Sequence, residues 1–223
     1  MTVIINYKNS NLKKSSSNLV LFVDEKFSIS GLKNLILNSE FSYISDLLKT
    51  SDLKKDLLVF KINSKKTIFL ASIKKDIKTF DIENLGAKFH SFINYDEKKD
   101  YFVHSDTINS KVKNFLGYFL HGIKLKSYEF NIYKSKKNKK LVSINIIGNK
   151  NKLSLQDQLR FKALEEGTFF ARDLVSEPGN ILYPDEYAKR INSLKKLGLK
   201  INIYDKKKLK KLGMNALLGV GQG

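Results

Sequence analysis

Six short runs of β-branched and aromatic residues alternate with helical stripes over the first two-thirds of the chain, and this alternation narrows the possible folds more than any other feature. The runs are Val3 to Tyr7, Leu19 to Val23, Leu57 to Ile62, Thr67 to Ile73, Tyr101 to His104 and Leu141 to Ile147. Each has the length and composition of a strand. Between them, Ile108, Val112, Phe115, Leu116, Phe119, Leu120 and Ile123 recur at spacings that set all seven on one helix face. Ile82, Leu85, Phe89, Phe92 and Ile93 form a second stripe, and Leu32, Leu35 and Ile36 with Leu47 and Leu48 mark weaker ones. Strands alternating with helices predict an α/β domain whose sheet is covered by helices. No internal repeat is present.

Glycine and proline usage then changes. Four glycines lie in residues 1–147 and eight in residues 148–223, and both prolines, Pro178 and Pro184, fall in the second stretch. A different architecture is expected there. Residues 154–176 read as a long helix, with Leu155, Leu159, Ala163, Phe170 and Leu174 at near-helical spacing, Ser154 as N-cap and Asp157 three residues later. Pro178-Gly179-Asn180 stops it. Beyond are expected a helix opening near Pro184 and closed by Gly198, a strand from Lys200 to Tyr204, a short helix from Lys206 to Leu212 closed by Gly213, and a strand from Ala216 to Val220. The expected division is an N-terminal α/β domain over 1–152, a linker helix over 153–177 and an incomplete second α/β unit over 178–223. Two strands and two short helices cannot cover a parallel sheet, so this last piece needs more chain, or a partner supplying it.

Composition excludes several classes of chemistry. The absence of cysteine removes disulfides, thiolate metal sites and cysteine nucleophiles together. With 42% hydrophobic and 28% charged residues, the chain can bury a core. Met1 to Lys8 lacks the order of a signal peptide, and no run approaches the roughly 18 to 20 apolar residues that span a bilayer, so a cytoplasmic protein with no membrane partner is expected. Lys and Arg number 41 against 22 Asp and Glu, a net charge of +19 that invites a nucleic-acid partner. The kind of base argues against it: only Arg160, Arg172 and Arg190 are arginine, whereas base and phosphate forks favour arginine's planar donors. An AT-biased coding sequence would give the same lysines with no binding role. The densest run, Lys134 to Lys140, has no interleaved aromatic residue and reads as a solvated connection.

The segment Phe170-Ala171-Arg172-Asp173-Leu174-Val175-Ser176-Glu177-Pro178-Gly179-Asn180, continuing to Ala188, resembles the start of the catalytic domain of the leucyl aminopeptidases, the M17 or cytosol aminopeptidase family. Leu199 to Asp205 and Leu209 to Gly223 are similar to the elements that follow in that family. Upstream, Gly117-Tyr118-Phe119-Leu120-His121-Gly122 and Leu125 to Lys134 are similar to the end of its N-terminal domain. The resemblance implies a macro-domain-like α/β N-terminal domain, a linker helix and the truncated start of a zinc-peptidase-like α/β catalytic domain. It further implies a homohexamer acting on peptide substrates, removing N-terminal residues, often leucine, with two divalent ions, manganese or zinc. The family's ligands lie on motifs of the type G-K-G-x-T-F-D-T-G-G and N-T-D-A-E-G-R, which do not occur in residues 1–223. The chain is therefore expected to be an N-terminal fragment, inactive and metal-free alone, with no catalytic, cofactor-binding or metal residue assigned in it. The alternative is a stand-alone macro-domain-like module binding ADP-ribose or nucleic acid, against which residues 1–150 offer no glycine-rich loop for a pyrophosphate.

Several residues invite a functional reading and a plainer one. Gly219-Val220-Gly221-Gln222-Gly223 follows an apolar run as a phosphate loop would, but no helix follows, and a tightly turning strand end is the simpler reading. His90, His104 and His121 are 14 and 17 residues apart, without the spacing that puts two ligands on one helix face. Arg172 and Asp173 with Glu177 before Pro178 invite reading as an active-site ion cluster, but at a helix end opening a domain they are expected rather to hold the junction through charge-assisted hydrogen bonds. Glu165 and Glu166 are adjacent on a helix, about 100° apart, and cannot face one substrate as an acid–base pair.

Overall fold

A parallel sheet has to be covered on both faces, and the first part of the chain supplies both covers. The computed structural model describes residues 2–7, 18–93, 100–135 and 141–221. Lys136 to Lys140, most of the dense lysine run, therefore lie outside the described residues. All six expected runs are strands: β1 (Thr2–Asn6), β2 (Asn18–Asp24), β3 (Leu57–Lys61), β4 (Thr67–Ile73), β5 (Asp100–His104) and β6 (Leu141–Ile147). They form one sheet in the order β1-β6-β5-β2-β4-β3. Every neighbouring pair is parallel except β3 and β4, which form an antiparallel edge.

The central strand β2 shows why its run is apolar throughout rather than alternating. Leu19, Leu21 and Val23 point to one face, where Phe27, Ile29, Leu32, Ile36 and Ile44 of helix α1 (Asn38–Leu48) cover them. Val20 and Phe22 point to the other, beneath α2 (Thr79–His90) and α3 (Phe115–Lys126). The Phe22 ring meets Phe115 and Phe119 edge-on at 5.4 and 5.1 Å, and Phe69 meets Phe89 in the same way at 5.1 Å, the geometry aromatic quadrupoles favour. Helices α2 and α3 cross backbone against backbone. A Cβ on Gly86 would collide with the Phe119 carbonyl, and one on Gly122 with the Glu83 carbonyl. On the α1 side, Lys66 and Glu40 are 2% and 5% exposed and pair at 2.7 and 2.9 Å. Glu40 also accepts the Leu37 N–H at the start of α1.

Two sequence expectations need correction. Helix α3 starts at Phe115, so Ile108 and Val112 precede it. Asn114 is left-handed (φ 58°), Ser110 Oγ accepts the Val112 N–H, and Asn151 takes up the Ile108 carbonyl. The apolar stripe is still packed into the core, but polar turn residues stop the backbone from continuing the helix. The second correction concerns the C-terminal part. Residues 200–204 pair with no strand, and 216–220 belong to a helix, α7 (Asn215–Val220). A strand gains its hydrogen bonds only from a neighbour, whereas a helix satisfies its own backbone, and Ala216-Leu217-Leu218 are good helix formers.

The chain divides into compact units Met1–Phe169 and Phe170–Gly223, with the boundary inside helix α4 (Leu155–Ser176). The start of α4 is the capping arrangement expected: Ser154 Oγ accepts the Asp157 N–H at 3.1 Å and donates to Asp157 Oδ2 at 2.7 Å. The second unit contains α5 (Pro184–Ser193), with Pro184 in its first turn, α6 (Lys206–Lys211), capped by Asp205, and α7. Gly198 and Gly213 close turns at φ 85° and 72°, where glycine alone carries no steric cost.

Candidate functional site

In an open parallel sheet, ligands bind beyond the carboxyl ends of the strands, where neighbouring strands send their connections to opposite faces. Here β2 and β5 are those neighbours, since the chain leaves β2 toward α1 and leaves β5 toward α3. A crevice of about 550 Å³ lies there, between the ends of the two strands and the loop after β2. Asp24 and Asp106 both line it. The Asp24 carboxylate accepts the Lys26 and Ser28 N–H groups, and the Ser28 bond foremost holds its carboxyl below the usual range. Burial pushes Asp106 up, but the Lys150 and Asn149 N–H groups outweigh it and hold that carboxyl low as well. The loop carries Phe27 at φ 56°, a position few bulky residues adopt, held by a ring only 2% exposed. Two ionised carboxylates at a crevice with a single glycine, Gly31, oppose a diphosphate. The ADP-ribose alternative therefore gains no support from this geometry.

The three histidines lie apart. His90 ends α2, where burial, then Lys126, lowers its pKa. His104 ends β5, lowered by burial, and its Nδ1 is buried without a partner among the described residues. His121 lies on α3, 8% exposed, with Nδ1 2.9 Å from Glu83 Oε1. Among the described residues no three His, Asp or Glu side chains come together as a metal cluster. No step of metal chemistry is assigned to these residues.

Glu177 forms an ion pair with Arg190, a residue the sequence reading did not place beside it. Its side chain is 3% exposed and accepts Arg190 Nη1 at 2.9 Å, while Arg190 Nε reaches Glu186 at 3.2 Å. The Glu186–Arg190 spacing of one helical turn was readable; the Glu177–Arg190 contact, which needs the turn at Pro178, was not. Glu177 thus joins the end of α4 to α5. Glu165 and Glu166 diverge as expected: Glu165 pairs with Lys124 at 2.9 Å and Glu166 with Lys162 at 3.7 Å. Gly219 is in α7 and Gly221 just follows it, rather than ending a strand; Gln222 and Gly223 lie outside the described residues.

Two further cavities flank α2 and α3. One of about 330 Å³ is polar, with Asp56 bridging Lys74 at 2.7 Å and Lys88. The other, about 280 Å³, lies between β1, α3 and the first half of α4, with aliphatic walls and the Lys124–Glu165 pair. No helix among the described residues is long and apolar enough to cross a membrane.

Comparison with known proteins adds what geometry does not. Residues 169–223 match the model of the cytosol aminopeptidase family, catalytic domain. A probable cytosol aminopeptidase of Bradyrhizobium is 43% identical over 109 residues, 46% of this chain and 21% of that protein, so the likeness reaches beyond the matched domain segment. A tomato leucine aminopeptidase mutant superposes with a TM-score of 0.67 at 20% identity, covering 95% of this chain and 46% of the other. The bottromycin maturation enzyme BotP in complex with Mn gives 0.65 at 16%, covering 94% and 43%. The chain thus spans less than half the length of these relatives and shares the fold of the two solved structures. The likeness to the cytosol aminopeptidase family is thus carried by the sequence of residues 169–223, which match its catalytic domain.

Proposed function

We propose that this chain is the N-terminal α/β unit and the opening of the catalytic domain of a metal-dependent leucyl aminopeptidase, an enzyme that hydrolyses N-terminal residues, often leucine, from peptides. The match of residues 169–223 to the catalytic-domain model carries the reading. The second unit supports it independently. None of its described apolar residues is buried, and Leu197, Leu217 and Val220 stand 77%, 52% and 83% exposed. Such a surface fits the remaining elements of a catalytic domain packing onto it. In this reading two divalent ions, manganese or zinc, are held by residues of those further elements, activate a water and polarise the scissile carbonyl. The BotP relative with Mn is consistent with this. The first unit serves assembly of a homohexamer and access to the active site, and the enzyme works in the cytoplasm.

The test compares the native-length protein with the 223-residue chain, each assayed for leucine release from leucyl-p-nitroanilide with Mn²⁺ or Zn²⁺. Release by the native-length protein alone is expected. Release by the 223-residue chain would overturn the assignment of the chemistry to residues outside it, and silence of both would overturn the aminopeptidase reading.

A further inference from the structure

The 280 Å³ cavity between β1, α3 and α4 has a composition that selects its ligand. Its walls are aliphatic and aromatic, from Ile5, Leu120, Leu159 and Phe161. Set into them is an ion pair, Lys124 Nζ to Glu165 Oε1 at 2.9 Å, with side chains only 19% and 18% exposed. Lys124 also donates to the Val3 carbonyl at 2.9 Å, which fixes its ammonium at this wall. Lys162, 69% exposed, adds a second cation at the rim. Charges of both signs therefore border an apolar cavity too small for a large cofactor.

Two wall residues keep hydrogen-bonding capacity in hand. His121 is 8% exposed, its Nδ1 is held by Glu83, and its Nε2 has no partner among the described residues. Buried polar atoms are ordinarily paired, so such an atom in a cavity wall is a place where a ligand group is expected. The Tyr7 phenol is pushed up to about 12, first by burial and then by Glu165, so it stays a neutral donor.

We infer that this cavity binds a free branched-chain amino acid as its zwitterion, the carboxylate toward Lys124 and Lys162, the ammonium toward Glu165, and the aliphatic side chain among Ile5, Leu120 and Phe161. Each half of the ligand explains one half of the wall. Once a ligand enters between Lys124 and Glu165, a simple carboxylic acid offers Glu165 no cation, and a simple amine offers Lys124 no anion. A zwitterion satisfies both. The site is separate from the peptidase reading and stands or falls without it.

The test titrates the 223-residue chain with L-leucine, 4-methylpentanoate, 3-methylbutan-1-amine and L-lysine, reading the amide shifts of Gly117 and His121 by NMR. L-leucine is expected to bind at least about tenfold more tightly than the other three. Glu165→Gln is expected to weaken leucine about tenfold, and Leu159→Trp, at an exposed helix position, to abolish binding by filling the groove. The ligand series on the unaltered chain decides the matter if a variant fails to fold. No shift with leucine up to its solubility, equal binding of 4-methylpentanoate, or unchanged affinity in a folded Leu159→Trp would overturn the proposal.

Discussion

Residues 1–169 and 170–221 are alike in local order and unlike in burial. Both contain capped helices closed by well-placed turns, and both carry many large apolar side chains. In the first unit those side chains fill both faces of a six-stranded sheet. In the second no described apolar residue is buried. Helix caps and stops act within a few residues and need no core. Strands and cores need distant partners, and only the first unit contains them.

The comparison would break most clearly at the largest side chains. Phe89→Ala, at a ring with no exposed surface packed against Phe69 and Tyr101, should cost about 3–5 kcal/mol in a urea melt followed by tyrosine fluorescence. Lys66→Met should cost a similar ~3–5 kcal/mol because Glu40 is left buried without its ion-pair partner, whereas Lys66→Met with Glu40→Leu together should recover most of it. Gly122→Ala forces α2 and α3 apart and is expected to cost about 1–3 kcal/mol.

Smaller effects sharpen the boundary. Asp56 lies below the usual carboxylate range because of its bonds to Lys74 and Lys88. A depressed carboxyl contributes stability above its unfolded pKa, near 4, and that contribution fades as pH falls through the lower folded value. Asp56→Asn should flatten the acid limb of the stability profile of the first unit, by less than about 1 kcal/mol for a pair this close to solvent. Leu197→Ala, 77% exposed, should change the stability of this chain by no more than about 0.5 kcal/mol. A larger loss would mean that the second unit has a core of its own.

Legibility in the sequence follows the same physical line. All six strands of the first unit were readable, because β2 and most of β4 are buried on both faces as nearly unbroken apolar runs and the other strands are rich in β-branched and aromatic residues. The Ser154–Asp157 cap, Pro184 in the first turn of α5 and the stops at Gly198 and Gly213 were readable because they are local. The start of α3 was not, since Ile108 and Val112 keep the helical spacing while Asn114 breaks the backbone. Ala216 to Val220 was misread as a strand because a five-residue apolar run has no period that separates strand from helix. The crevice at Asp24 and Asp106 and the cavity at Tyr7, Lys124 and Glu165 were hidden, because residues far apart in the chain meet only after strand order is known. The family likeness was visible at residues 170–188, inside the segment that matches the catalytic-domain model.

Native-state hydrogen exchange of the 223-residue chain, read amide by amide, tests the central contrast most directly. The account predicts slow exchange at the full unfolding free energy for the ladder amides of β2, β4 and β6, and fast exchange, little beyond local fraying, for α5, α6 and α7. Equal protection across residues 184–220 and the sheet would contradict it, because the second unit would then be stable without any further chain to cover it.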